Sequence, residues 1–264
     1  MMNGRRLDPI EGEVFAVDKP LKWTSFDVVK RVRAKLAHRL GLLKKIKVGH
    51  AGTLDPLATG ILVICTGRAT KRIDELQAHV KEYVATLQFG ATTPSYDLET
   101  EVDAQYEWEH ITREELEHVL RERFTGTIEQ VPPSFSACKV DGHRAYKMAR
   151  KGHEVELKPK QLVIDEIELL DFAMPRATLR IVCSKGTYIR ALARDIGEAM
   201  HSGAHLVALR RTRVGDVRIE DCYTVEQLIE LLQNSDMVMP QEKAEGAQAA
   251  TQTGNMKQRK NIEL

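Results

Sequence analysis

The chain is poor in features that would mark it as secreted, membrane-bound or metal-dependent. Its four cysteines, Cys65, Cys138, Cys183 and Cys222, lie far apart, and no C-x-x-C pair occurs. That spacing argues against a zinc knuckle or a disulfide framework. It predicts reduced thiols, each acting as a small buried hydrophobe, in a cytoplasmic protein. No apolar run approaches the roughly 20 residues that cross a bilayer, so no membrane partner is expected. Residues 1–13 lack the apolar stretch of a secretory signal. There is no internal repeat, no phosphate-cradling G-x-x-x-x-G-K motif and no clustered set of metal-ligand residues, so neither a metal nor an organic cofactor is expected.

A hydrophobic content of 42% and a mean hydropathy of -0.33 fit a globular protein, and 264 residues suffice for a substantial core. The net charge of +1 conceals segregation. Between Lys19 and Lys47 ten Lys and Arg stand against one acid, Asp27. From Asp97 to Glu117 nine acids stand against one base, Arg113. From Arg180 to Arg218 eight Lys and Arg stand against three acids. Either basic stretch alone reads as a solvated face. Two of them converging on one surface would track a phosphate backbone, with Lys30 to Lys35, Lys44, Lys45, Lys47, Arg210, Arg211 and Arg213 as candidate contacts.

The most specific stretch is Gly49-His50-Ala51-Gly52-Thr53-Leu54-Asp55-Pro56-Leu57-Ala58-Thr59-Gly60. Three glycines and a proline fix the backbone around one carboxylate, Asp55, before a short apolar strand at residues 61–65. An acid held stiffly among cations suits a nucleophile or general base acting on a polyanion. The same residues also suit a plain turn, and spacing alone leaves both readings open.

Periodicity organises the rest. Residues 13–17 read as a strand ending in a turn at Asp18-Lys19-Pro20. Thr24 or Ser25 then caps a helix with Val28, Val29, Val32, Leu36 and Leu40 on one face. Residues 81–89 alternate as a strand with Tyr83, Ala85, Leu87 and Phe89 facing one way. Thr112 with Glu115, and Thr224 with Gln227, predict capping boxes. Strands are expected at 162–170 and 178–183. A helix after Thr187 should carry Ile189, Leu192, Ala193, Ile196 and Met200 inward, with Arg190 and Arg194 four apart. An extended linker at 131–134 and a short unit at 142–152 containing Tyr146 and Met148 lie between. Beyond Pro240 the chain is polar and expected to be disordered. Strands and helices without a βαβ rhythm predict an α+β, mixed-sheet fold. The expected domains are an N-terminal extension (1–12), one catalytic domain (13–233) and a tail (234–264).

Five blocks together carry a family resemblance. Asp18-Lys19-Pro20-Leu21-Lys22-Trp23-Thr24-Ser25, the 49–60 stretch, Lys81-Glu82-Tyr83, Ser184-Lys185-Gly186-Thr187-Tyr188-Ile189-Arg190 and Gly203-Ala204-His205-Leu206-Val207-Ala208-Leu209-Arg210-Arg211 resemble, in the same order, the bacterial tRNA pseudouridine synthase B (TruB) family. The resemblance spans about residues 13 to 230. It implies the pseudouridine synthase fold, a central mixed, mostly antiparallel sheet with flanking helices. It also implies isomerisation of the T-loop uridine, tRNA position 55, to pseudouridine on a flipped-out base. Asp55 falls at the family's catalytic aspartate, Arg190 at the arginine paired with it, and Tyr83 at the tyrosine that stacks on the target uracil and is expected to help remove its C5 proton, a further catalytic role. Tyr188 and Leu209 match pocket positions, His50 a loop histidine holding the T-loop, and Lys19 a further substrate-binding position. From pattern alone Tyr83 suits core packing equally well, and Arg190 a surface helix arginine. The implied partner is the T-stem-loop of tRNA, met as a monomer without a protein partner. Many family members carry a C-terminal PUA domain, which the polar sequence after Gln233 is not expected to form. A guide-RNA-dependent relative and a tRNA-folding factor are the competing readings.

Overall fold

A computed structural model of the chain describes residues 6–42, 46–133, 139–140, 143–144 and 157–240. In chain order the elements are β1 (Val14–Lys19), α1 (Ser25–Arg39), β2 (Val48–Ala51), β3 (Ala58–Thr66), α2 (Ile73–Gln77), β4 (Lys81–Phe89), β5 (Ala91–Thr92), β6 (Ala104–Gln105), α3 (Arg113–Arg123), β7 (Gly126–Gln130), β8 (Lys139–Val140), β9 (His143–Arg144), β10 (Lys160–Ala173), β11 (Arg176–Cys183), α4 (Ile189–Ala199), β12 (Ala204–Val214), β13 (Val217–Arg218), β14 (Tyr223–Thr224) and α5 (Val225–Asn234).

One ten-stranded sheet dominates the described residues, ordered β14-β1-β3-β12-β4-β11-β10-β7, with β2 added to β3 and β13 to β12. Most neighbours are antiparallel, while β1 with β14 and β3 with β12 run parallel. This is the α+β, mixed-sheet fold that periodicity predicts, with the mostly antiparallel order and flanking helices that the family resemblance implies. On one half, α3 packs on β10 and α4 on β12 and β4, through Leu116, Leu120, Leu192 and Ile196, all essentially buried. On the other, α1 and α5 cover β1 and β3 through Val28, Val32, Leu36, Leu228 and Leu232. Burying each such aliphatic side chain contributes about 1.5–3 kcal/mol, before the cost of ordering it.

The helix starts follow their caps. Thr24, not Ser25, caps α1 and forms a reciprocal box with Asp27, and Thr224 does the same with Gln227 before α5. At α3 only half the expected box forms: the Thr112 hydroxyl accepts from the Glu115 N–H. Packing also runs past the expected domain limits at residues 13 and 233. Leu7 is buried with Met237, and the Leu7 N–H donates to Asp236 O at 2.9 Å.

Of the strands that exceed the sequence reading, two shape the site. β3 starts at Ala58 because Ala58, Thr59 and Gly60 pair in parallel with Leu209, Arg210 and Arg211. β12 has no counterpart among the expected strands, yet it pairs with β4 along its whole length. Gly60, at φ 101°, allows that approach, since a Cβ there would lie 2.2 Å from the Arg211 carbonyl oxygen. Cys65 and Cys183 are buried as expected, and Cys222 is half-buried. Cys138, the 142–152 unit except for residues 143–144, and the sequence after Pro240 lie outside the described residues. No described helix is long and apolar enough to cross a membrane.

Candidate active site

The Asp55 turn is clamped from three sides. Ser25, the first residue of α1, uses its hydroxyl twice: Oγ donates to Leu54 O at 3.0 Å and accepts from the Leu54 N–H at 2.9 Å. The Lys22 N–H donates to Pro56 O at 2.8 Å, and Ala58 N–H to Asp55 O at 3.1 Å. From the sheet side, the Arg211 Nη2 donates to Gly52 O at 3.1 Å and its Nε to Ile61 O at 2.7 Å. Leu54 is buried beneath the turn. The carboxylate next to it therefore has little freedom to wander.

Arg190 reaches this carboxylate from the first turn of α4. Its Nε donates to Asp55 Oδ2 at 2.9 Å, and its Nη1 donates to Ser95 O at 3.0 Å. A second carboxylate, Asp97, stands 3.6 Å from the same Nε. The side chains of Arg190 and Asp97 are each 6% exposed, whereas that of Asp55 is 38% exposed. The guanidinium is thus fixed inside the protein, and only Asp55 opens to the outside. Burial pushes the Asp55 carboxyl above the usual carboxylate range; Arg190 opposes this, while Asp97 and Glu99 add to it.

Asp55 sits on the wall of a cleft of about 540 Å³ shared with Tyr83, Tyr188, Leu209, Arg190 and Arg211. That size falls within the roughly 300–1,000 Å³ typical of small-ligand clefts. Tyr83 projects from β4, 8% exposed. Burial holds its phenol above its ordinary pKa, with Arg211 opposing. Tyr188 precedes α4, and its backbone N–H and C=O are both bonded to the Gln130 amide. Leu209 lies on β12, half-buried in the wall.

Two predicted site residues lie off this wall. Lys19 is fully buried. Its ammonium donates to Pro20 O at 2.9 Å and Trp23 O at 2.6 Å, which holds the turn before α1. Burial lowers its pKa to about 8, and Asp55 acts against that shift. Lys19 therefore meets the site through charge rather than at the cleft surface. His50 sits on β2, its Nδ1 buried without a hydrogen-bond partner among the described residues. Burial, and then Arg211, depress its pKa, so the ring is neutral near pH 7.

One expected phosphate contact is corrected. Arg211 is 1% exposed, the largest wholly buried side chain among the described residues, and its guanidinium is engaged by two backbone carbonyls and by the Tyr83 phenol. It is a strut between β12, β3 and the Asp55 turn. Arg210 pairs with Asp18 at 2.8 Å and remains partly exposed. Asp97 was not singled out by sequence because it is one acid among nine, and only the 93–97 turn carries it to Arg190. Among the described residues no three His, Cys, Asp or Glu side chains gather as a metal-binding group.

The sequence model for "TruB family pseudouridylate synthase (N terminal domain)" matches residues 40–189, and that for "tRNA pseudouridylate synthase B C-terminal domain" matches 190–244. The tRNA pseudouridine synthase B of Phocaeicola vulgatus is 67% identical over 227 residues, covering 86% of this chain and 96% of that protein. The protein of the same name from Flavobacterium johnsoniae is 52% identical over 224 residues, covering 85% and 97%. Among solved structures, a chain of a Cbf5-Nop10-Gar1 complex aligns with a TM-score of 0.62 and 28% identity, covering 86% of this chain and 56% of its own length. A chain of an H/ACA RNP bound to a substrate RNA containing 2′-deoxyuridine aligns at 0.59 and 28%, covering 84% and 54%. This chain spans little more than half of those two solved chains. With two adjoining family matches and relatives this similar over nearly their whole lengths, the chain belongs to the TruB family of pseudouridylate synthases.

Proposed function

We propose that this protein isomerises uridine to pseudouridine at position 55 in the T-loop of tRNA, with Asp55 acting on a uridine turned out of the loop. The observation that carries the reading is a half-open carboxylate whose inner face is fixed by a buried guanidinium, beside an aromatic side chain in a base-sized cleft. Isomerisation breaks the N1–C1′ bond of the nucleoside, rotates the uracil and joins C5 to C1′. The C5 proton is lost and N1 ends protonated, so atoms and electrons balance without a co-reactant. An ionised carboxylate facing the sugar can add as a nucleophile or stabilise a cation-like C1′, as carboxylates do in glycosidic cleavage.

Arg190 opposes the rise that burial imposes on the Asp55 pKa, which favours the ionised form, and it aims the carboxylate outward. Tyr83 offers a ring face to replace the stacking that the uracil loses on extrusion. Its raised pKa keeps the phenol neutral, which favours stacking and hydrogen bonding over action as a phenolate base. Tyr188 and Leu209 complete the wall. The relatives named tRNA pseudouridine synthase B support tRNA as the substrate class, and the partly exposed cations of α1 suit its phosphates.

The test is to incubate the purified protein with unmodified tRNA and map pseudouridine by carbodiimide treatment and primer extension. One new stop at T-loop position 55 is expected. No stop, or stops only elsewhere, overturns the reading.

A further inference from the structure

Beside the Asp55 turn lies an exposed aromatic side chain that the cleft does not use. Phe26, the second residue of α1, is 51% exposed, and Leu21 before the helix is 52% exposed. Two cations face the Phe26 ring: Lys30 Nζ at 5.0 Å and the Arg33 guanidinium at 5.8 Å from its centroid. They sit one and two turns further along the helix, so they approach from its C-terminal side. The ring is also fixed relative to the site. Its neighbour Ser25 is bonded to Leu54, and Lys22 to Pro56. At the other end Arg33 Nη2 donates to Val48 O at 2.8 Å. Phe26 is therefore held beside residues 48–56, the segment that carries His50 and Asp55.

A single exposed hydrophobe needs no explanation. Here the exposed ring comes with cations placed over it, in the stretch where ten Lys and Arg face one acid. An aromatic face bordered by cations is how proteins hold an unstacked nucleobase together with its phosphate. A protein or lipid partner would use the apolar area of Leu21 and Phe26, whereas the cations beside the ring, Lys30 paired with Asp27 at 3.3 Å and Arg33 bonded to Val48 O, favour a partner that also carries a phosphate. We infer that Phe26 is a second stacking platform, outside the catalytic cleft. It takes another unpaired nucleobase of the RNA, whose phosphate lies against Lys30 and Arg33. The inference rests on the RNA-modifying reading above and adds a distinct nucleotide subsite to it.

The test measures affinity for a T-stem-loop RNA in an Asp55→Asn background, so that turnover does not consume the ligand. Phe26→Ala is expected to weaken binding about tenfold. Its salt dependence should stay the same, because stacking releases no counter-ions. Phe26→Leu should weaken binding equally, and Phe26→Trp should retain it. The half-exposed position predicts unchanged melting for all three. Undiminished affinity with alanine overturns the inference. So does full affinity with leucine, which would make the contact merely apolar, and so does lost affinity with tryptophan. Failure of the unsubstituted chain to modify tRNA would instead strike the functional reading, and the same binding series would still decide this one.

Discussion

Two arginines on neighbouring elements gather carboxylates, and they differ in almost everything that follows. Arg180 on β11 meets Glu82, Glu166 and Glu168 on the face of the sheet. Its own side chain is 30% exposed, and those of Glu166 and Glu168 are 59% and 58% exposed. Arg190 on α4 meets Asp55 and Asp97, with its side chain 6% exposed. In water-rich surroundings a charge cluster gains little and is screened by salt. Within the protein the same groups bear a desolvation cost, and each shifts its neighbour's ionisation. The exposed cluster is therefore decoration on the sheet, while the buried one sets the charge of a single outward-facing carboxylate.

Substitutions in the two clusters test that contrast. Arg190→Met should lower the single-turnover rate about 10²–10³-fold, the scale of losing one preorganised charge partner, while leaving tRNA affinity nearly intact. It should also move the acid limb of the rate profile. Burial, Asp97 and Glu99 all raise the Asp55 pKa, and Arg190 opposes them. Removing the arginine lets that pKa climb, so the rate falls off at a higher pH than in the unsubstituted protein. Lost affinity with an unchanged rate would make Arg190 a phosphate contact instead.

Asp97→Asn should have a smaller effect of opposite sign on the profile. The rate falls about tenfold as Arg190 loses a charged neighbour. The acid limb moves down, because one negative charge beside Asp55 is gone. An upward shift would show that Asp97 acts on Asp55 by placing Arg190 rather than by its own charge. Smallest of all, Arg180→Met should leave rate and profile unchanged and cost less than about 1 kcal/mol of stability. A rate loss comparable to that of Arg190→Met would erase the distinction between the clusters.

The sequence made the Asp55 turn legible, because glycine and proline punctuation has few uses other than bending the chain. It also made α1 and β4 legible, since their apolar residues repeat at 3.6 and at 2. β12 was hidden: Arg210, Arg211, Thr212 and Arg213 look like a solvated run, and only the sheet reveals that Arg211 points into the interior. Long cations that end on backbone carbonyls leave no hydrophobic signature. Asp97 was invisible for a related reason, as its role depends on a turn that brings it to Arg190 from 93 residues away. Family blocks pointed to Lys19 and His50, but their physical roles, a buried charge and a neutral ring, became readable only once burial was known.

The most direct test of the account is the single-turnover rate of Asp55→Asn on unmodified tRNA, with affinity measured on the same samples. The loss of the carboxylate charge should lower the rate by at least about 10³-fold while binding changes little. Pseudouridine forming at position 55 at the original rate would contradict the claim that this carboxylate carries the chemistry.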